Sequence, residues 1–571
     1  QQIANKKTPA SLYQTCAFLA AHNMVQISDL IPHLHPNLST IIDCNKTLAK
    51  HVATRLKNLG AISLNSTKDA TDSATLEHQS PSTSMDITKN QRLGLINALL
   101  SFGAFPLAFN MILQLRKSGI DAIFLLPSIG TNICQMLHAT IEPIYRSTTN
   151  PPRHLSMVHN APPPMTNTLS KRRKNSTKPG DAIRDKMSLL PIESVLLPIH
   201  EIDSFVEVVY EPLKLLGAGF TIGKDPVLYC KLCRLFRCFL KRKIDAGNTV
   251  DQVVTGKTLN IIESFLVPSV SMFHSNPAIC SELWNCLELF PYTIRYKLYD
   301  AWRGASLERK AVSKQALSGD GYSVVDDKPF SRVETEINTG LSCRYVLRRL
   351  SKDTIKDMGK RLAKAAHNNP IVVFSSVLSQ IESYDNLVGL MVDTFKFVTN
   401  LALDVLGYCI LTSLGGGKVG DRGRSKLKSD GVNAAQWLSS LEQFTGAFWK
   451  KFPDVDIRGV LSFLLRRLQE GHTLELGVLR TLLTTAGGLD VVEGGTGGLS
   501  VIQLEGRAGS QLLKRETSSF GVVGECTMCN DTRRLKVFAN IAAVLSCERA
   551  KQDRVIAKLK AILVASPDRT L

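Results

Sequence analysis

The chain has 571 residues, 44% hydrophobic, 21% charged and 6% aromatic, and its 69 basic against 50 acidic side chains give a net charge of +19. No apolar run reaches the ~18 residues of a membrane span, no signal-peptide pattern opens the chain, and thirteen scattered cysteines do not form a disulfide framework. These counts point to a reducing compartment and no membrane partner, and the surplus of positive charge favours polyanionic partners.

The length allows two to four domains, and a start at Gln1 rather than Met is expected of a piece of a longer protein. Leu, Ile, Val and Ala carry the apolar load, which suits helices packed on helices. Residues 1–146 read as an N-terminal helical segment, interrupted at 62–90 by a Ser-, Thr- and Asp-rich insertion. Residues 147–190 hold "NPPRHL", "APPPM" and "KRRKNSTKPG", a Pro-rich basic linker. Its Lys171, Arg172, Arg173 and Lys174 form either a phosphate-binding or nuclear-import run or a solvated charge run; composition favours neither.

Residues 191–302 resume helical periodicity. "SFVEVVYEP", from Ser204, is the best strand candidate and stands alone, while "LYCKLCRLFRCFL" reads as a helix. A polar linker is expected over 303–336. Residues 337–565 form a helical domain with polar insertions at 414–431 and 487–525. There Asn369 is placed to cap a helix that opens on Pro370. "NLVGLMVDTFKFVTNL" presents Leu387, Leu390, Met391, Phe395 and Val398 on one helical face. "QWLSSLEQFTGAFWKKF" does the same with Trp437, Leu441, Phe444, Ala447 and Phe448. "IRGVLSFLLRRLQEG" follows with Ile457, Leu461, Leu464 and Leu468, stopped by Gly471. The basic amphipathic segment near the C-terminus keeps Arg533 and Arg534 solvated or against phosphates. The predicted fold class is all-α, an irregular α-solenoid with long polar loop insertions.

Catalytic signatures are missing from this sequence. "GGGKVG" lacks phosphate-loop spacing, "HEIDSF" lacks the second metalloprotease His, and no GxSxG occurs. Of two CxxC pairs, far apart in sequence, Cys230 with Cys233 falls in the apolar helix and Cys526 with Cys529 lies near a predicted loop, the better zinc candidate of the two; no metal is expected. His138 and His367 have no nameable catalytic partner and are expected to be buried or capping. The expectation is a protein that is not an enzyme and has no cofactor.

"FPYTIRYKLYDAW" (290–302) places Tyr292, Tyr296 and Tyr299 at helical spacing, with Phe290 and Trp302 at its ends. The same residue types serve as helix packing or as a stacking platform for single-stranded RNA; the spacing favours packing. With the preceding residues this stretch resembles the THO complex subunit 2 family, which reads LW…FPY…RY.LY..W; Leu283, Trp284, Phe290, Pro291, Tyr292, Arg295, Tyr296, Leu298, Tyr299 and Trp302 match. A second family pattern, H.NP…F..IL.QI..YDN, falls on His367, Asn369, Pro370, Phe374, Leu378, Gln380, Ile381, Tyr384, Asp385 and Asn386. The likeness is strong over 261–471 and thin elsewhere, and the insertions at 303–336 and 414–431 depart from it.

The resemblance implies a nuclear, non-enzymatic scaffold with a HEAT-like helical middle domain. Its partners would be the other THO complex subunits, a DEAD-box RNA helicase bound by the middle domain, and RNA held weakly and without sequence preference. The assembly would couple mRNA processing to nuclear export. The Phe290, Tyr292, Tyr296, Tyr299 and Trp302 stripe is then expected to pack between domains, and His367, Asn369, Pro370, Tyr384, Asp385 and Asn386 to be structural. Another helical scaffold, such as a nuclear transport receptor or a translation-initiation scaffold, is the alternative; transport receptors are usually acidic, which counts against the first of these.

Overall fold

The computed structural model describes residues 8–65, 90–148, 181–316, 330–415, 426–428, 434–472, 474–482 and 485. Among these the fold is all-α and solenoid-like: no strand forms, and one isolated bridge pairs Leu427 with Ala434. No helix among them is long and apolar enough to cross a membrane. Two compact units emerge, Gln1–Leu289 with Ala301–Ile337, and Phe290–Asp300 with Asn338–Leu571.

In the first unit, α1 (Ala10–Ala21), α2 (Gln91–Phe102), α3 (Phe105–Lys117) and α4 (Pro127–Thr148) precede α5 (Phe205–Leu216), α6 (Pro226–Asp245) and α7 (Pro277–Leu287). Helix α2 packs on α1, α3 and α4, and α6 packs on α4 and α7. The starts are written in the sequence. Asn90 accepts the Leu93 N–H at 3.1 Å to open α2, and Asp225 accepts the Leu228 N–H at 3.0 Å ahead of Pro226 to open α6. Each cap satisfies an amide that the first turn leaves without a helical partner.

The expected strand at 204–212 is instead α5. Its Phe205, Val206, Val209, Pro212, Leu213 and Leu216 are all buried, a spacing of three and four that lies on one side of a helix. The β-branched run suggested extended backbone, but packing along that stripe overrides local preference.

The division between units falls inside α8 (Tyr292–Ala316) and α9 (Phe330–Arg348). The polar interruption expected over 303–336 is therefore narrower, since helix continues to Ala316 and resumes at Phe330. Likewise α4 runs to Thr148, and a short helix, Asp181–Met187, occupies the end of the expected basic linker.

The second unit continues with α10 (Ile355–Asn368), α11 (Pro370–Ile381), α12 (Val388–Thr394), α13 (Asn400–Leu414), α14 (Gln436–Lys451), α15 (Arg458–Gln469) and α16 (Leu476–Thr481). Contacts skip alternate helices: α10, α12, α14 and α16 pack in one row, α11, α13 and α15 in another, and α14 touches α11 and α13 between them. This two-layered stacking is the arrangement of a helical solenoid. Phe374, Phe395, Phe444 and Phe448 run through the core with ring centroids 5.7, 6.2 and 6.2 Å apart, distances at which aromatic pairs add to simple burial.

Two predicted faces shift. The segment from Leu387 to Val398 is not one helix but α12 flanked by 3-10 turns, which buries Met391 and Phe395 and leaves Leu387, Leu390 and Val398 half-buried. In α14 the buried face runs through Leu438, Leu441, Phe444 and Phe448, with Trp437 and Ala447 at its edge. Gly471 has φ of +87° and ends α15's last turn, as its freedom in the left-handed region allows.

Candidate functional site

The first turns of α8 carry a buried polar cluster of the second unit. Arg295 lies 5% exposed. Its Nε and Nη2 donate to the two carboxylate oxygens of Asp404 at 2.9 and 3.0 Å, a bidentate fork. Nη1 donates to the Phe290 carbonyl at 2.6 Å, and Nη2 also reaches Asp456 at 3.2 Å. The Tyr299 hydroxyl donates to Asp404 at 2.8 Å, and Tyr408 of α13 donates to Asp300 at 2.7 Å. Tyr292 shares a 2.9 Å hydrogen bond with Ser462 of α15. One guanidinium thus ties α8 to α13 and to the entry of α15.

Burial pushes the Asp404 carboxyl above its ordinary value, against the pull of Arg295 and the Tyr299 hydroxyl. Burial also opposes ionisation of Asp456, but hydrogen bonds from the Arg458 side chain and backbone, with the charges of Arg458 and Arg295, hold it below the usual range. Burial raises the Tyr296 and Tyr299 hydroxyls well above theirs. Tyr296 is 7% exposed and packs between Tyr292, Tyr299 and Tyr408 at 5.8, 6.1 and 5.7 Å. Gly459 faces it so closely that a Cβ there would lie 2.6 Å from the ring. Phe290, Tyr296, Tyr299 and Trp302 are buried, while Tyr292 is half-buried with the Arg458 guanidinium 5.8 Å from its ring centroid. Phe290, Tyr292, Tyr296 and Tyr299 belong to the second unit, and Trp302, whose carbonyl accepts from Arg332 at 2.9 Å, belongs to the first.

The other family pattern divides in two. His367 and Asn369 are buried and Pro370 opens α11. Burial lowers the His367 ring below its ordinary value, opposed by its hydrogen bond to the Phe397 backbone. Asn369 stands at the N-cap position, but its side chain does not cap; Nδ2 donates to Thr339 Oγ1 at 2.9 Å and so tethers α9 to α11. Tyr384, Asp385 and Asn386 lie on the surface, where Asp385 Oδ1 accepts the Asn386 N–H at 2.8 Å.

In the first unit His138 is fully buried, with Nε2 2.9 Å from Asp225 Oδ2. Lys231 Nζ lies 3.5 Å from Nδ1 and donates to Glu142 at 2.7 Å. An ammonium facing Nδ1 makes that nitrogen the acceptor and leaves Nε2–H to donate to the carboxylate. Burial opposes ionisation of Asp225, yet His138 and the Leu228 N–H hold it below its usual range. Cys134 lies one turn before His138, but burial, with the Asp225 charge adding, pushes its thiol far up. A thiol so raised is not a nucleophile at neutral pH.

Cys233 is buried on α6 and Cys230 half-buried. Burial pushes the nearby Cys280 and Cys286 thiols up to about 12, so they pack as small hydrophobes. Among the described residues no cluster of His, Cys, Asp and Glu is placed to hold a metal. Lys171, Arg172, Arg173, Lys174, Cys526, Cys529, Arg533 and Arg534 lie outside the described residues.

A titratable group that the sequence did not single out is Glu442 of α14, half-buried beside α16. Burial raises its carboxyl to about 7, with Arg480 opposing and Glu475 adding. A carboxyl raised on folding gives stability that is complete below the unfolded value of 4.5 and is lost as pH rises through 7. Glu442→Gln is therefore expected to stabilise the protein by roughly 1–2 kcal/mol at pH 8, a figure reduced for partial exposure, with little change near pH 5. Thermal unfolding at the two pH values checks this; equal shifts at both would contradict it.

A family model described as "THO complex subunit 2 N-terminus" matches residues 1–360, and one described as "Transcription- and export-related complex subunit" matches 362–442. THO complex subunit 2 of Mus musculus is 28% identical over 533 residues, 91% of this chain and 29% of the relative. The Arabidopsis thaliana relative of the same name is 26% identical over 549 residues, 91% of this chain and 27% of its own. That of Saccharomyces cerevisiae is 27% identical over 296 residues, 52% of this chain. The chain thus spans less than a third of the length of these relatives. With the first family model covering well over half its residues and the second continuing almost without a gap, the chain belongs to the THO complex subunit 2 family.

Proposed function

We propose that this chain is a non-enzymatic scaffold of the THO complex, acting in the nucleus to organise the other THO subunits and a DEAD-box RNA helicase for mRNA processing and export. The observation that carries this reading is family membership across residues 1–442. The two rows of stacked helices in the second unit support it, because such rows present long surfaces to partners. The helicase is assigned to the 337–565 region. RNA is a further partner, held weakly and without sequence preference by the +19 surplus.

Size-exclusion chromatography of the full chain with a DEAD-box RNA helicase, combined with an ATPase assay, tests the assignment. The expected result is co-elution, with ATP turnover only when the helicase is present. Separate elution, or turnover by the chain alone, would overturn it.

A further inference from the structure

The chain between Arg344 and Lys364 concentrates charge. It holds eight basic side chains (Arg344, Arg348, Arg349, Lys352, Lys356, Lys360, Arg361 and Lys364) against Asp353 and Asp357. Helix α10 sorts this charge to one side. Gly359, Leu362, Ala363, Ala366 and His367 are buried, while Lys356, Lys360 and Lys364 are exposed at intervals of four residues. Two helical elements converge on this face at Tyr345, whose ring lies 4.1 Å from the Arg349 guanidinium and 5.7 Å from that of Arg361. The neighbouring carboxylate on α12, Asp393, is paired with Lys451. Lys396, in the turn after α12, adds a further exposed cation.

We infer that this face, the outer side of α10 with the end of α9, is a contact surface for the phosphate backbone of single-stranded RNA. The inference rests on the RNA contact proposed above and gives it a place. Lysines four apart on a helix stand about 6 Å apart along its axis, close to the separation of successive phosphates in an extended strand. None of Lys356, Lys360 and Lys364 forms an ion pair with a described carboxylate, so each ammonium is available as a point charge to a phosphate. The half-buried Tyr345 ring is occupied by arginine and offers no base-stacking face. Recognition here reads the backbone and not the bases, and its mark is a steep salt dependence.

The test measures the affinity of the full chain for a labelled 20-nucleotide RNA of mixed sequence over a series of salt concentrations. Wild type is compared with the triple variant Lys356→Gln, Lys360→Gln, Lys364→Gln. The control variant, Lys117→Gln, Lys224→Gln, Lys241→Gln, removes the same charge from exposed positions of the first unit. The first triple is expected to bind at least about tenfold more weakly, with a log-log salt slope smaller by about 2, while the control stays near wild type. Ultraviolet cross-links from wild type are expected to map within residues 344–364. Equal weakening by both triples would overturn the inference while leaving an RNA contact in place. Failure of wild type to bind RNA would overturn both, and competition by an acidic peptide without RNA binding would assign the face to a protein.

Discussion

Arg295→Ala is expected to destabilise the second unit by about 3–5 kcal/mol, the cost of leaving a buried carboxylate without its counter-charge. Asp404 is 3% exposed and would keep only the Tyr299 hydroxyl, while the Phe290 carbonyl would lose its 2.6 Å donor. Burial already disfavours the ionised form of Asp404, so removing Arg295 drives that carboxyl toward protonation. An exposed pair gives the contrast. Arg466 and Glu470 stand one turn apart on the surface with side chains 79% and 40% exposed, and Arg466→Ala is expected to cost less than about 0.5 kcal/mol. Urea unfolding of both variants decides the matter; equal effects would show that the Arg295 cluster does not hold the helices together.

Tyr296→Ala carries the second large effect, about 3–5 kcal/mol for truncating a buried aromatic whose surroundings cannot close over the space. Tyr292, Tyr299 and Tyr408 surround the ring, and Gly459 of α15 is shaped to it. Because Tyr296 adjoins Arg295 and packs against Tyr299 with ring centroids 6.1 Å apart, losses from the two substitutions are not expected to add. Measured alongside stability, RNA affinity separates packing from a stacking platform. A large drop in thermal stability with unchanged RNA affinity is the packing result. Unchanged stability with weakened RNA binding would make the stripe a ligand site.

How legible was this in the sequence? Helices were read where the cause is local: Pro370 at the first helical position and the left-handed Gly471. Tyr292, Tyr296 and Tyr299 declared themselves as one stripe by spacing alone. The reading failed where tertiary packing decides. Val206, Val208 and Val209 favoured a strand, but α5 buries Val206 and Val209 on one side of a helix and leaves Val208 half-buried. Asn369 looked like a cap, yet Thr339, thirty residues earlier, takes its side chain. The polar cluster was out of reach for the same reason. Asp404 and Asp456 lie 109 and 161 residues beyond Arg295, and no spacing rule spans such a gap. An arginine set among tyrosines on an apolar stripe was the one signal, since a buried guanidinium must have an acidic partner somewhere. His138 and Asp225, 87 residues apart, make the same point.

The proposed role of this member of the THO complex subunit 2 family is to scaffold a nuclear assembly. Affinity purification of the tagged chain from nuclear extract at moderate salt, followed by mass spectrometry, tests it most directly. Recovery of the other THO subunits together with a DEAD-box helicase is the predicted result. Recovery of translation factors or transport cargo, with no THO subunit, would contradict it.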